Sequence, residues 1–169
     1  MAESKSGLRK PVFTKVDQLR PGTSGHTLTV KVVSTKMVLQ KGRGDGTQVR
    51  QMRIAECLVG DETGMIIFTA RNDQGVGCLD STEKTATGLI QMAYILSFLV
   101  MNNGYLVDLM KEGTTVILRN AKIDMFKGSM RLAVDKWGRV EVAEPANFTV
   151  KEDNNLSLIE YELVNVVEE

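Results

Sequence analysis

Apolar and polar residues alternate along the chain after residue 26, as in a strand with one buried face. Leu28, Val30 and Val32 fall on one side, and the residues between them are polar. The alternation continues to Leu39 and is rich in β-branched side chains, which favour strands. We therefore predict a long first strand over residues 26–39, with His26 as a solvated turn residue at its start.

Four further segments show strand patterns, and short glycine-containing turns separate them. A loop with three glycines, residues 41–46, follows the first strand. In the next turn we expect structural roles for Asp61, Thr63 and Gly64, through side-chain capping and a special backbone angle. The predicted strands cover residues 48–59, 65–70, 114–123 and 130–135, the last extended or kinked towards residue 142.

Residues 75–106 interrupt this pattern between the third and fourth predicted strands. Their compact apolar part, residues 88–101, is shorter than the stretch of about 20 residues that a membrane span needs. The polar residues 102–104, Asn-Asn-Gly, are typical of a helix stop. A buried or interfacial helix is one interpretation of this segment.

The order of the strands predicts the fold class. Five strands, with glycine-rich loops after the first and fourth, predict an all-β fold: a five-stranded Greek-key OB-fold barrel, with an inserted helix between strands three and four as an option. In that fold, strands two and three and the two glycine-rich loops bind oligonucleotides. We expect a disordered N-terminus (residues 1–11), an OB-fold domain (12–142) and an acidic C-terminal extension (143–169).

Charge is unevenly distributed, although 21 basic and 21 acidic residues give a net charge of zero. Residues 1–139 sum to +7 and residues 140–169 to −7. A basic body favours a polyanionic partner. The acidic end has two interpretations: a solubilising segment, or an arm that competes with phosphate for the basic groove.

Other functional classes have little support in the sequence. Cys57 and Cys78, with a single His in the chain, can form neither a disulfide framework nor a four-ligand zinc site. No P-loop, nucleophile–base pair or signal peptide is visible. We expect a binding protein, not an enzyme, without cofactor, metal, membrane or small-molecule substrate, located in the nucleus or cytoplasm.

Three motifs, in order along the chain, resemble OB-fold single-strand binders. Residues 59–66, Val-Gly-Asp-Glu-Thr-Gly-Met-Ile, resemble the turn between their second and third strands. Residues 111–118, Lys-Glu-Gly-Thr-Thr-Val-Ile-Leu, resemble the start of their fourth strand, and residues 125–132, Met-Phe-Lys-Gly-Ser-Met-Arg-Leu, the hairpin into their fifth. Over residues 12–142, leaving out 75–106, the chain is similar to the SOSS-B group of single-strand binders, relatives of replication protein A, and especially to its plant members.

This resemblance implies binding of single-stranded DNA or RNA by stacking of bases on aromatic side chains. Phe126 keeps one of those aromatics, whereas the other three positions hold Arg71, Lys122 and Ala133. Each stacked base contributes about 1–3 kcal/mol, so the substitutions predict weaker binding. Arg71 compensates in part by stacking its guanidinium plane, and both Arg71 and Lys122 by contacting phosphate.

The same resemblance gives residues 75–106 a second interpretation. Deleting them joins residues 71–74 to residues 107–113, and this join resembles the short connection of the family between strands three and four. The segment is therefore either a true inserted helix or an in-frame retained intron.

The predicted nucleic-acid site consists of basic residues around the groove and one aromatic. Strict alternation places Arg50 and Arg53 on opposite faces of the second strand, so we expect only one of the two in the groove. Phe126 has an alternative role, closing one end of the barrel by packing. The predicted site residues are Lys36, Lys41, Arg43, Arg50, Arg53, Arg71, Lys122, Phe126, Lys127 and Arg131.

Three other residues are expected to serve the core. Phe68 lies in an apolar run, and Cys57 acts as a small apolar residue. Trp137 stands between Lys136 and Arg139, which suits nucleic acid, but a lone Trp is more often partly buried, and we expect this here.

Two functions follow. The first is binding of single-stranded DNA or RNA, without sequence specificity, through the basic OB-fold groove. The rival is a protein-interaction subunit of a nucleic-acid-processing complex with weak or no nucleic-acid binding. Its partner would bind the barrel or the acidic C-terminal extension, which carries an apolar run over residues 156–167.

Overall fold

Five strands form a closed barrel in a computed structural model of the chain, which describes residues 10–43, 50–71 and 106–164 except for the side chains of 41–43 and 50–52. Neighbouring strands around the barrel follow the order β1-β2-β3-β5-β4, and β4 closes onto β1. This arrangement confirms the predicted all-β OB-type barrel. The elements are β1 (Ser24–Arg43), β2 (Arg50–Gly60), β3 (Met65–Arg71), α1 (Leu106–Leu109), β4 (Thr115–Phe126) and β5 (Ser129–Val142), with 3-10 turns at Val16–Gln18 and Leu156–Leu158.

The long strand β1 closes the barrel because it pairs with β4 through its first half and with β2 through its second. Bulges at two places in each half bend it between these partners. One bulge contains Gly25, whose φ of 80° is in the left-handed region that favours glycine. The last closure is short and parallel: β3 and β5 pair only at Phe68↔Leu132 and Thr69↔Ala133.

The alternating apolar residues fill the barrel interior. Phe68 and Cys57 are fully buried, which confirms both as core residues, and burial raises the pKa of the Cys57 thiol. One end of the barrel is covered by α1, which places Val107 and Met110 in the core. Thr35 of β1 fixes that end, because its hydroxyl donates a hydrogen bond of 2.5 Å to the carbonyl of Met110.

Both ends of β1 differ from the predicted ones. β1 runs on to Arg43, because pairing with β2 continues through Gly42↔Gln51 and Arg43↔Arg50. Lys41 and Arg43 are therefore strand residues, not loop residues. β1 also begins earlier than predicted, so His26 lies inside it, half-buried with Nε2 2.7 Å from Thr23 Oγ1. The prediction of a solvated turn histidine is wrong, and burial lowers the pKa of His26.

Most of residues 75–106 lie outside the described part of the chain, as do residues 1–9. The predicted helix over 88–101 and the retained intron therefore stay predictions. The described part resumes with α1, at the point where core residues return.

The turn between β2 and β3 is organised by Asp61, which is fully buried. Its carboxylate accepts hydrogen bonds from the backbone N–H of Val16 (3.0 Å) and from the N–H and hydroxyl of Thr63 (2.8 and 2.5 Å). The structural role predicted for Asp61 and Thr63 is confirmed. Gly64 is needed for another reason than a special backbone angle, because a Cβ there would lie 2.7 Å from the carbonyl oxygen of Asn154.

Residues 150–161 pack along the barrel, and we call them the C-terminal strap. At the β2–β3 turn, Lys151 N–H donates to the Asp61 carbonyl (3.0 Å), and Met65 N–H donates to the Asn154 carbonyl (2.8 Å). Leu156 then enters the core. The strap reaches the β4–β5 hairpin, where Tyr161 N–H donates to the carbonyl of Gly128 (2.8 Å).

The strap also connects β3 to β5 where those strands do not pair. The buried hydroxyl of Ser157 accepts a hydrogen bond from Ile67 N–H of β3 (2.9 Å) and donates one to the Met130 carbonyl of β5 (2.7 Å). Because the β3–β5 ladder has only two residue pairs, this bridge extends the closure of the barrel. The acidic extension therefore contains a segment that belongs to the folded barrel.

Candidate nucleic-acid interface

A row of side chains on the outside of the barrel crosses all five strands. Cross-strand pairs connect Lys36 of β1 to Glu56 of β2, Glu56 to Thr69 of β3, Thr69 to Ala133 of β5, and Ala133 to Lys122 of β4. Paired residues point to the same side of a sheet, so these side chains all point outward, in a row that follows the circumference of the closed barrel. We call it, together with the outward residues two positions away on each strand, the outer face.

Two of the predicted cations on the outer face are paired with carboxylates. Arg131 of β5 forms an ion pair with Glu56 across β3 (3.1 Å), and Lys122 forms one with Asp124 on its own strand (3.3 Å). The Nε of Arg131 is buried and donates no hydrogen bond to a described residue. Because that nitrogen is buried, a ligand on the outer face cannot reach it unless the side chain rearranges.

Phe126 stands at the end of the outer face, on the hairpin between β4 and β5. The residue is 52% exposed. The guanidinium carbon of Arg131 and the ammonium nitrogen of Lys127 each lie 5.5 Å from the ring centroid, which is cation–π distance. The ring is therefore an exposed aromatic surface with two cations beside it.

The hairpin under Phe126 has a defined backbone. Lys127 and Gly128 both have positive φ angles, 49° and 80°, which is the pattern of a two-residue type I′ turn. The strap holds it from the other side, because a Cβ on Gly128 would lie 3.0 Å from the Tyr161 carbonyl. The position of the ring is thus fixed by the turn type and by the strap together.

Three predicted cations, Lys36, Arg71 and Lys127, are exposed and form no ion pair with a described residue. Arg71 lies two positions beyond Thr69 on β3, so it belongs to the outer face. The structure places Lys36, Arg71, Lys122 and Arg131 on the outward side of the barrel strands, and contacts join Phe126, Lys127 and Arg131 to one another.

Arg53 is positioned differently. It has the parity of the buried residues Ala55 and Cys57, and its guanidinium pairs with Asp108 of α1 (2.9 Å) at the end of the barrel. Strict alternation had placed only one of Arg50 and Arg53 in the groove, and Arg53 does not join the outer face. The side chains of Lys41, Arg43 and Arg50 lie outside the described part, so their roles stay predictions.

Trp137 contradicts the expectation of partial burial, since it is 76% exposed on β5. The basic residues on both sides of it in the sequence were the only signal of this exposure. The strap and its contacts with the β2–β3 turn were also missed, because residues 143–169 carry no strand or helix pattern that predicts packing.

Two further findings concern other kinds of site. Within the described ranges, no three His, Cys, Asp or Glu side chains come close enough to hold a metal ion. In the same ranges, no helix has the length and apolar character to cross a membrane.

Comparisons with known proteins agree with this geometry. The family model of Ssb-like single-stranded DNA-binding proteins with an OB fold matches residues 19–98 and 92–142. An uncharacterized protein of Arabidopsis thaliana is 54% identical over 164 residues, spanning 94% of this chain and 86% of that protein. The solution structure of a hypothetical Arabidopsis thaliana protein is 49% identical, covers 99% of both chains and has a TM-score of 0.61.

Two archaeal structures are also similar. The OB domain of a Methanosarcina mazei protein is 18% identical with a TM-score of 0.45, over 82% of this chain and 90% of that one. A replication factor A related protein from Methanobacterium thermoautotrophicum is 15% identical with a TM-score of 0.43, over 79% and 93%. The predicted likeness to OB-fold single-strand binders and to plant proteins is confirmed, while membership of the narrower SOSS-B group stays a prediction. The chain belongs to the Ssb-like family of OB-fold single-stranded DNA-binding proteins.

Proposed function

We propose that the protein binds single-stranded DNA or RNA, with little sequence preference, across the outer face of the barrel. The observation that carries this proposal is the exposed Phe126 ring with Arg131 and Lys127 beside it. Every base has a π-face, so stacking on an exposed aromatic tolerates any sequence. The predicted location, in the nucleus or cytoplasm, is consistent with this function.

Phe126 and the cations beside it are complementary to the base and the phosphate of one nucleotide. A base stacks on the ring, while the phosphate beside it meets Lys127, which forms no ion pair with a described residue. Arg131 adds a second positive charge beside the ring, although it is also paired with Glu56. The hairpin is fixed by its turn and by the strap, so little conformational entropy is lost on binding.

The exposed cations extend this site over the barrel. Lys36 and Arg71 lie on β1 and β3, and their ammonium and guanidinium groups are open to phosphates of a strand that crosses the outer face. Each phosphate of a single strand that a cation neutralises contributes about −0.7 to the slope of log Kobs against log salt concentration. Lys36, Arg71 and Lys127 together therefore predict a slope of roughly −2.

The test is a titration of labelled oligothymidylate and oligouridylate, followed by fluorescence polarisation at several salt concentrations. The wild type should bind at low salt, and Phe126→Ala should weaken binding about 5- to 150-fold, the effect of one lost stack. Phe126→Tyr should retain most of the affinity. Phe13→Ala is a matched control, because Phe13 is also exposed but has no described cation over its ring.

Three results would contradict the proposal: no binding of either oligonucleotide at low salt, a slope near zero, or equal affinities for Phe126→Ala and Phe13→Ala. The difference between the two oligonucleotides decides whether DNA or RNA is preferred. Thermal melts of each variant separate loss of binding from loss of fold.

A second candidate function is that of a protein-interaction subunit with weak or no nucleic-acid binding. Two observations favour it. Arg131 and Lys122 of the outer face are already paired with carboxylates. Past the strap, Leu163 and Val164 are exposed apolar residues next to Glu162.

The two functions differ in which residues matter. A protein partner of the extension predicts that Leu163→Ser with Val164→Ser abolishes complex formation but leaves oligonucleotide affinity unchanged. The truncation that tests it removes residues 162–169 and keeps the strap, because removing 140–169 would also take the end of β5 and Leu156 out of the fold. Size-exclusion chromatography with light scattering shows whether a second copy of the chain is that partner.

A further inference from the structure

We infer that Trp137 is a second base-stacking residue, at the end of the outer face away from Phe126. The inference deepens the proposed function and rests on it. It is carried by three observations: the exposure of the indole, the backbone that presents it, and the basic side chains around it.

Trp137 is presented by a bulge between β4 and β5. Pairing continues from Arg119↔Arg139 to Ala121↔Val134, so Asn120 alone lies opposite four residues of β5, 135–138. Asn120 adopts a φ of 53°, a conformation in which Asn is several-fold enriched. Bulges of this kind turn a side chain away from its regular direction and are frequent next to functional sites.

Hydrogen bonds fix the bulge on both sides of Trp137. Its N–H donates to Asp135 Oδ1 (2.9 Å), and its carbonyl accepts from Asn120 Nδ2 (3.3 Å). Gly138 has no room for a side chain, since a Cβ would lie 2.6 Å from the Arg119 carbonyl oxygen. These contacts fix the backbone at Trp137, so the exposed indole is presented in one position for a base to stack on.

The indole is unusual in its environment. A Trp side chain gains much free energy from burial, and leaving 76% of it in water forgoes most of that gain. Lys136 Nζ lies 5.1 Å from the ring centroid, and two residues further along β5 the Arg139 side chain is 68% exposed, with its Nε 3.9 Å from Glu141. Positive charge around an exposed ring is complementary to a base with its phosphate, which favours nucleic acid over an apolar protein surface.

The position of Trp137 also fits a strand that starts at Phe126. Continuing the parallel register of Thr69↔Ala133 by two residues brings Arg71 level with Asp135, next to the bulge. From Ser129 to Trp137, β5 spans at most roughly 25 Å. A strand over this length contacts Arg131 and Arg71 between its two stacked ends, within the 4–16 nucleotides that OB folds cover.

The experiment uses the fact that Trp137 is the single Trp of the chain. Full-length protein is titrated with unlabelled oligothymidylate of about 20 nucleotides while Trp emission is followed. Polarisation of the labelled oligonucleotide is measured in parallel. We expect quenching of the emission with the same midpoint as the polarisation change. Trp137→Ala should weaken binding about 5- to 150-fold, and Trp137→Phe by less.

The outcomes separate the inference from the function on which it rests. Binding by polarisation without a change in Trp emission, or with equal affinity for Trp137→Ala and wild type, overturns the role of Trp137 and leaves the proposed function standing. An indole that docks a protein partner gives this same result. If neither oligothymidylate nor oligouridylate binds by polarisation, the proposed function itself is overturned. Because the side chain is exposed, the melting temperature of Trp137→Ala should equal that of the wild type, which keeps the affinity comparison valid.

Discussion

Two regions of this barrel differ in how deeply the protein buries their charged side chains and in how many hydrogen bonds it gives them. At the β2–β3 turn, the carboxylate of Asp61 is fully buried and accepts three hydrogen bonds. On the outer face, the carboxylate of Glu56 is partly exposed and holds Arg131, whose Nε donates to no described residue. The first charge is enclosed by its hydrogen-bond partners, and the second pair lies partly exposed on the outside of the barrel.

This difference distinguishes structure from binding. Asp61 joins three separate parts of the chain: its side chain contacts Val16 and Thr63, and its carbonyl accepts from Lys151 of the strap. A substitution of Asp61 therefore removes hydrogen bonds on which the fold depends. Ion pairs at a protein surface contribute little to stability, about 0–1 kcal/mol, and Glu56 and Arg131 form a partly exposed pair, with 35% and 17% of their side chains accessible. The turn should therefore control folding, and the outer face should control affinity.

The largest effect is expected for Asp61→Ala. The change leaves the buried N–H of Val16 and the Thr63 donors without their acceptor, so the free energy of unfolding should fall by about 3–5 kcal/mol. Urea denaturation measures it. Glu62→Ala is the matched control, since that neighbouring carboxylate is exposed and its pair with Lys15 should matter little. Equal stabilities of the two variants would contradict the role of Asp61.

The next effect concerns the strap. Leu156→Ala removes a side chain that is buried in the core, and we expect a loss of about 2–4 kcal/mol in the free energy of unfolding. Leu158→Ala, two residues further on and exposed, should stay within about 0.5 kcal/mol of the wild type. Oligonucleotide affinity measured well below the melting temperature should change little in Leu158→Ala. If both Leu variants are as stable as the wild type, the strap is not part of the folded barrel.

Sequence patterns predict the barrel well, and they predict contacts between distant segments poorly. The alternation after residue 26 gives β1, and the motif at residues 59–66 gives the turn with Asp61, because both are local signals. The strap has no such signal. It pairs through single backbone hydrogen bonds and one buried Leu156, and Gly60 and Gly64 make room for it without any local pattern that says so.

The candidate site shows the same limit. The basic residues and Phe126 are visible as residue types, yet their pairing is a property of the closed barrel. Arg131 meets Glu56 only because β3 lies between their strands, with Thr69 in the middle. Trp137 is exposed because Asn120 and Gly138 form a bulge, and these two residues are 18 positions apart in sequence. Charge counted along the chain gives the sign of the surface, and the fold decides which charges remain free.

The smallest expected effect tests whether ion pairs in the folded barrel decide which cations can bind a ligand. Glu56→Gln removes the carboxylate that holds Arg131 and keeps the shape of the side chain. If the outer face binds nucleic acid, the released guanidinium gains a phosphate contact, so affinity at low salt should rise a few-fold and the salt slope should steepen by about 0.7. Stability should fall by about 1 kcal/mol, because the Gln amide oxygen can still accept a hydrogen bond from Arg131, whose side chain is only 17% exposed. Glu62→Gln changes the net charge equally at the β2–β3 turn, so a general electrostatic effect would appear in both variants. A gain confined to Glu56→Gln places the ligand on the outer face, and equal affinities of the two variants would place it elsewhere.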